Sequence, residues 1–480
     1  MRHKRAWRLG GLVCLAAIYA ACGGQQTHNL GENANAGAGG AGAGAGTTTA
    51  NGGAGGNGTP GFKPPGIGGN GEGGVGAVPA TLGGTTPVKY SYPIQPTQPI
   101  DPNCTCASSA QICNAAKECV DRCDGQGRCA MWLVNRAVTA MIEEASTVYY
   151  AIMPTTDPLG NRSNDAALYR VTYPAGTPEV IASGLDFVDQ ILGRYQGITY
   201  LHVGWLKSGK ILAVTDNGET TVVDACADDS TGSSRASLRG QWLTYVSADR
   251  VKVMRVDLAG NRTPEVLVDV SNVSPPPTDP TAVTRLRETY VLDDVIWYKG
   301  DYLGTCWIDI SDPAKIPNCE TRCEYQIFAT SGNQIFCTDA LVVGAKDARG
   351  TSLLTVYNRT DSGPYGFVDA GHFFDGWLYT STSKNSGSNT SAHLVIRFPT
   401  NVGRLPQEVL PTEIADPQGD GSYAFEIGSD GIFFYRGYQY LHAAEPQYIF
   451  HAPFPAQPCD TQLPCANSAQ VCTGGFCAAP

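Results

Sequence analysis

The chain has 480 residues, with 44 Asp and Glu against 33 Lys and Arg and a formal net charge of −11. That balance lacks the basic footprint of a nucleic-acid binder and would be repelled by anionic lipid surfaces. Of the 57 glycines 26 fall in the first hundred residues, which therefore cannot build a hydrophobic core.

Arg2, Lys4, Arg5 and Arg8 form a basic start, and Leu12 to Ala21 form an apolar run of signal-peptide length, too short to span a bilayer. Removing residues 1–21 takes away those four cations and leaves 29 against 44 acids. The run closes on Ile18-Tyr19-Ala20-Ala21-Cys22, which resembles a bacterial lipobox, with Tyr19 departing from the Leu usual in that slot. The resemblance implies lipidation of Cys22 and a chain anchored to a membrane rather than spanning it. Ordinary cleavage near Ala20 or Ala21 is the competing outcome. Residues 22–102 read as a tether, Gly-rich first and Pro-rich later, with a random-coil reach on the order of 50 Å.

A cysteine-rich module follows over 103–145, with Cys104, Cys106, Cys113, Cys119, Cys123 and Cys129. A related one closes the chain over 457–480, with Cys459, Cys465, Cys472 and Cys477; Cys106-ASSAQI-Cys113 and Cys465-ANSAQV-Cys472 share their spacing. Seventeen cysteines fit an oxidising compartment and disulfides; a thiolate metal site is the weaker reading, because no tight C-x2-C pair is present. Fifteen cysteines lie beyond Cys22, so at least one is free or paired between chains, and Cys226 is the candidate. Residues 130–145 give the one good helical pattern.

Between the modules, 146–456 reads as short strands. One phrase recurs at Leu168–Ile181, Val253–Leu267 and Leu394–Leu410: apolar residues around Arg170, Arg255 or Arg397, a turn, then an extended run opened by Pro178, Pro264 or Pro406. The arginines are 85 and 142 residues apart, two steps of about 42 and three of about 47, the repeat of a four-stranded propeller blade. A worn fourth copy around Phe450 to Pro453 extends the count to seven blades, over 146–184, 185–230, 238–274, 288–323, 324–363, 366–415 and 422–455; the spacing also admits six or eight. The fold class is all-β, a propeller. Cys306, Cys319, Cys323 and Cys337 would staple the two units that lack the Pro-Glu-Val strand. The repeated arginines are expected to make inter-blade contacts with Glu179, Glu265 and Glu408.

Motifs for a nucleophile elbow, a zincin or a phosphate loop are absent, and no two histidines stand at ligand spacing. Each His reads as a surface or packing residue. Acids do precede several turn-started strands: Asp189, Asp294, Asp369 and Glu426, with Asp186 and Asp293 beside them. The innermost strand of a blade borders the central channel, so these positions would form a ring of carboxylates around its mouth. Such a ring would suit a cation, calcium above others, or a polar mouth for sugars or peptides. Strand and turn capping by Asp is the plainer reading. No metal and no other cofactor is expected.

Lipobox-like start, Gly-rich tether, Cys-rich modules and blade phrase together resemble the propeller lipoproteins of myxobacterial type. The resemblance implies a cell-envelope protein, at the outer membrane or secreted, with a lipid anchor and an extracellular protein or glycan partner. A non-enzymatic binding or scaffolding module is the first reading. A hydrolase or lyase on extracellular polysaccharide or peptide, with carboxylates at the channel mouth, is the second.

Overall fold

The computed structural model describes residues 103–478, except for a number of connecting segments, the longest of them 273–284, 411–422 and 437–445. The signal-like run, Cys22 and the tether lie outside the described residues. Seven four-stranded antiparallel sheets follow one another in chain order. They span 138–185, 188–226, 237–269, 286–320, 326–358, 365–410 and 423–453, and are called blades one to seven. In each, consecutive strands pair with their neighbours, so the chain runs from one edge of the blade to the other.

The first strands of the blades are Val138–Glu144, Val188–Tyr195, Ser237–Arg239, Leu286–Leu292, Gln326–Ser331, Tyr365–Phe374 and Tyr423–Ile427. Each touches the first strand of the next blade, and that of blade seven touches that of blade one. The sheets therefore close into a ring with the first strands around its axis, a β-propeller. Blade seven borrows its fourth strand from the beginning of the fold: Cys129–Val134 pairs antiparallel with Gln447–Pro453. Closure through main-chain hydrogen bonds joins the two ends of the ring and leaves no unpaired seam between first and last blade.

Residues 130–145 are not helical. They form the closing strand Cys129–Val134 and the first strand of blade one. The apolar run satisfied helical spacing equally well, but Ala130, Met131, Trp132 and Val134 are buried between two blades, and pairing with the last blade decides their conformation. Arg136 marks the break between the strands, donating to the Asp165 carboxylate at 3.0 Å.

Blade cores are stacks of buried aromatic and branched residues between adjacent sheets. Leu168, Val188, Leu201 and Val214 join blades one and two, and Trp297, Ile335 and Cys337 join blades four and five. The recurring phrase always falls on the third and fourth strands of a blade. Arg170 stands opposite Glu179, and Arg255 opposite Glu265, in register. Arg170 Nε donates to Glu179 at 2.7 Å, and Arg255 Nε to Glu265 at 2.6 Å. These are cross-strand pairs inside one blade, not the inter-blade contacts expected, because the Arg and Glu face each other across a single hairpin. The inter-blade role falls to Asp216 of blade two, which takes Arg194 at 2.8 Å and Arg170 at 3.5 Å.

The third copy diverges. Arg397 stands opposite Gln407, is buried, lies over the Trp377 ring at 4.2 Å and donates to the carbonyls of Pro455 and Ala456. It holds the chain that leads to the C-terminal module. Ile112 of the N-terminal module packs into the cluster formed by Trp377, Tyr379 and Phe450, so both modules attach at blades six and seven.

Each module has the same connectivity, first cysteine with third and second with fourth: Cys104–Cys113 with Cys106–Cys119, and Cys459–Cys472 with Cys465–Cys477. Cys123–Cys129 and Cys306–Cys319 are also bonded, and Cys337 is in a disulfide. Cys323 lies outside the described residues. This density of disulfides belongs to an extracellular or otherwise oxidising environment. Clusters of cysteine sulfurs close enough for a metal occur only within the two modules among the described residues, and those sulfurs are consumed by disulfides.

Candidate functional site

The acids singled out in the sequence, where their side chains are described, do not stand at one level of the ring. Asp189 is the second residue of its strand, six short of the end, whereas Glu426 is one short of the end of the corresponding strand in blade seven. At roughly 3.3 Å per residue they stand at different levels of the channel wall. Asp294 is exposed in the hairpin after the first strand of blade four. Asp186 is exposed and accepts from the Phe187 amide at 2.7 Å, a capping role. Asp369 falls within the strand Tyr365–Phe374, its side chain outside the described residues, as is Asp293.

Glu426 instead meets partners from the two adjoining blades. His372, on the first strand of blade six, places Nδ1 at 3.7 Å from Glu426 Oε1 and its ring edge against Phe425 at 5.0 Å. Glu143, on the first strand of blade one, reaches the hairpin that follows Glu426: the Ser429 amide donates to Oε2 at 3.0 Å, and the Ser146 amide to Oε1 at 2.6 Å. Burial, and then the charge of Glu143, push the Glu426 carboxyl from 4.5 up to about 8. At neutral pH Glu426 therefore keeps its proton, while Glu143 is engaged by main-chain donors. Three consecutive first strands thus bring a protonated acid, a second carboxyl and an imidazole together where the strands turn.

A second polar centre lies between the strands of blade two. His202, 1% exposed, sets Nδ1 at 3.2 Å from Asp189 Oδ2 and Nε2 at 3.0 Å from the Ala227 carbonyl oxygen. Both partners are acceptors, so both ring nitrogens carry hydrogen and the imidazole is cationic. Burial opposes that charge, but the Asp189 hydrogen bond and the neighbouring Cys226 outweigh it and hold the His202 pKa well above 6.5. Cys226 is buried and is the one free cysteine among the described residues. Asp, His and Cys here have the composition of a nucleophilic triad but not its geometry. The nitrogen that would accept a thiol proton is given to Ala227, and the sulfur is closed off from solvent.

The sequence offered no spacing signal for either centre. Glu143 lies in the stretch that reads as a helix, and Cys226 meets His202 only across the third strand of blade two, Gly209–Thr215, which pairs with the strands of both.

No family model matches the chain, and no curated protein matches it. Among solved structures it is similar to BamB from Moraxella catarrhalis, at 10% identity over 68% of this chain and 95% of that one, with a TM-score of 0.39. It is also similar to the β-propeller domain of the Trilobed protease from Pyrococcus furiosus, at 8% identity over 66% and 94% and a TM-score of 0.42. A virginiamycin B lyase from Staphylococcus aureus in complex with quinupristin gives 10% identity over 68% and 99%, with a TM-score of 0.42.

Proposed function

We propose that the protein is a membrane-anchored, surface-exposed binding module whose ligand face is the mouth of the ring formed by Glu143, His372, Glu426 and Ser429. The observation that carries this reading is the convergence of these groups from three adjoining blades at the end of the first strands. The protonated Glu426 carboxyl can donate a hydrogen bond and carboxyl oxygens accept, so the mouth offers both to a polar partner such as a glycan or an extended peptide. Acylation of Cys22 would hold the ring at the envelope surface, with residues 22–102 as the spacer.

One observation favours a second reading. Glu426 is held with its proton, as a general acid requires, and the Glu143 carboxyl reaches the hairpin that follows it, which would suit a hydrolase or lyase on polysaccharide or peptide. Full-length protein on an array of bacterial glycans and peptides separates the two. Retention that drops at least tenfold in Glu143→Gln and Glu426→Gln, with the ligand recovered intact, supports binding. Ligand recovered cleaved by the parent chain and intact from Glu426→Gln supports the enzyme. Retention unaffected by both substitutions would remove the mouth from the function.

A further inference from the structure

The ring is closed at the junction of blade seven and blade one, and among the described residues a groove opens beside that junction. Trp132 of the closing strand donates from Nε1 to the Gly176 carbonyl at 3.1 Å, and the Tyr173 hydroxyl lies 3.2 Å from His451, so these contacts tie blade one to blade seven. Beside it runs an open groove of about 330 Å³, lined by Leu133, Val134, Tyr150, Tyr169, Pro178 and Pro446, among others. Tyr169, partly exposed, gives it an aromatic wall and is backed by the buried Tyr150, their ring centroids 5.1 Å apart and planes within 3°. Pro178 and Pro446 flank it, and Leu133, a large aliphatic side chain, is 39% exposed at its edge. An aromatic wall beside prolines and an exposed aliphatic side chain is the lining on which polyproline segments dock, because such a segment is preformed and loses little entropy on binding.

The chain itself carries such a segment just ahead of the described residues. Pro93, Pro96, Pro99 and Pro102 recur at a spacing of three in Tyr92-Pro-Ile-Gln-Pro-Thr-Gln-Pro-Ile-Asp-Pro102. A polyproline helix has three residues per turn, so these four prolines would fall on one face as a continuous stripe. From Pro93 to Pro102 the stripe would extend roughly 28 Å at about 3.1 Å per residue. Pro102 precedes the groove residue Leu133 by only 31 positions, which gives the segment a high effective concentration at the groove compared with any partner in solution.

We infer that the closure groove is the docking site of the chain's own Tyr92–Pro102 segment, which lies across the junction of the first and last blades and fixes where the tether leaves the ring. A photo-reactive benzophenone side chain introduced in place of Leu133 in the full-length protein tests it. The expected product is an intrachain cross-link to the 92–102 peptide, its yield falling at least fivefold when Pro96 and Pro99 are both replaced by Ala. The same probe in place of Val222, 56% exposed on the outer strand of blade two, should give no such product. Adducts of dimer mass, cross-links mapping elsewhere, equal yield from both probes, or a yield indifferent to the proline substitutions would each overturn the assignment.

Discussion

Of the histidine–carboxylate pairs in this ring, two have opposite characters. His202 and Asp189 are 3.2 Å apart inside blade two, with the histidine 1% exposed and its second nitrogen taken by a carbonyl. His372 and Glu426 are 3.7 Å apart across the contact between blades six and seven, with side chains 30% and 22% exposed. In the first pair every donor has an acceptor and the charge is locked in. In the second the carboxyl keeps a proton that solvent or a ligand can reach. The difference is topological. Strands within a blade bring side chains into a closed register, whereas the first strands of adjoining blades meet only at the channel wall.

Removing His202 should have the largest effect. His202→Gln leaves Asp189, itself partly exposed, without its buried cationic partner, and the expected loss is about 3 kcal/mol of stability, read by denaturant unfolding. Because the folded-state pKa of His202 lies above 6.5, its contribution is fully present below that pH and is lost as pH rises through the folded value. The parent protein should therefore become steadily less stable at alkaline pH, and the variant should not share that part of the slope. A variant as stable as the parent would show that the pair is not the closed one described.

Glu426→Gln should act in the other direction and more weakly. In the unfolded chain the carboxyl releases its proton near 4.5 and in the ring near 8, so this group makes folding less favourable as pH rises between those values. The amide cannot ionise. Its Tm should match the parent at pH 4 and exceed it by a few degrees at pH 9, at about 2 °C or less per kcal/mol for a ring of this size. Equal melting at both pH values would put Glu426 in ordinary solvent.

The smallest effect belongs to the frame. Arg170 and Glu179 form a partly exposed cross-strand pair, and Arg170→Ala should cost no more than about 1 kcal/mol and leave the pH profile of stability unchanged. A larger loss would mean that Asp216, which it shares with Arg194, ties blades one and two more tightly than surface pairs usually do.

Much of the frame was legible in the sequence, because it repeats. The phrase around Arg170, Arg255 and Arg397 marks the third and fourth strands of three blades, and its spacing alone implies a propeller. Turn glycines helped where the backbone demands them: Gly197 and Gly376 adopt φ of 79° and 78° in the hairpins that start second strands. The run 130–145 misled, because helical and strand periodicity coincide over so short a segment and the deciding partner, Gln447–Pro453, lies some three hundred residues away. The candidate site was legible only in Glu426. Glu143 and His372 join it through ring closure and blade adjacency, contacts that leave no mark on linear spacing.

The proton on Glu426 is the most direct test of this account. Infrared spectra of the full-length protein at pH 7, with the parent minus Glu426→Gln difference isolating this carboxyl, should contain a protonated C=O band that fades as pH rises through about 8. A carboxylate band already complete at pH 7 would contradict the account and make the mouth no different from any other acidic surface of the ring.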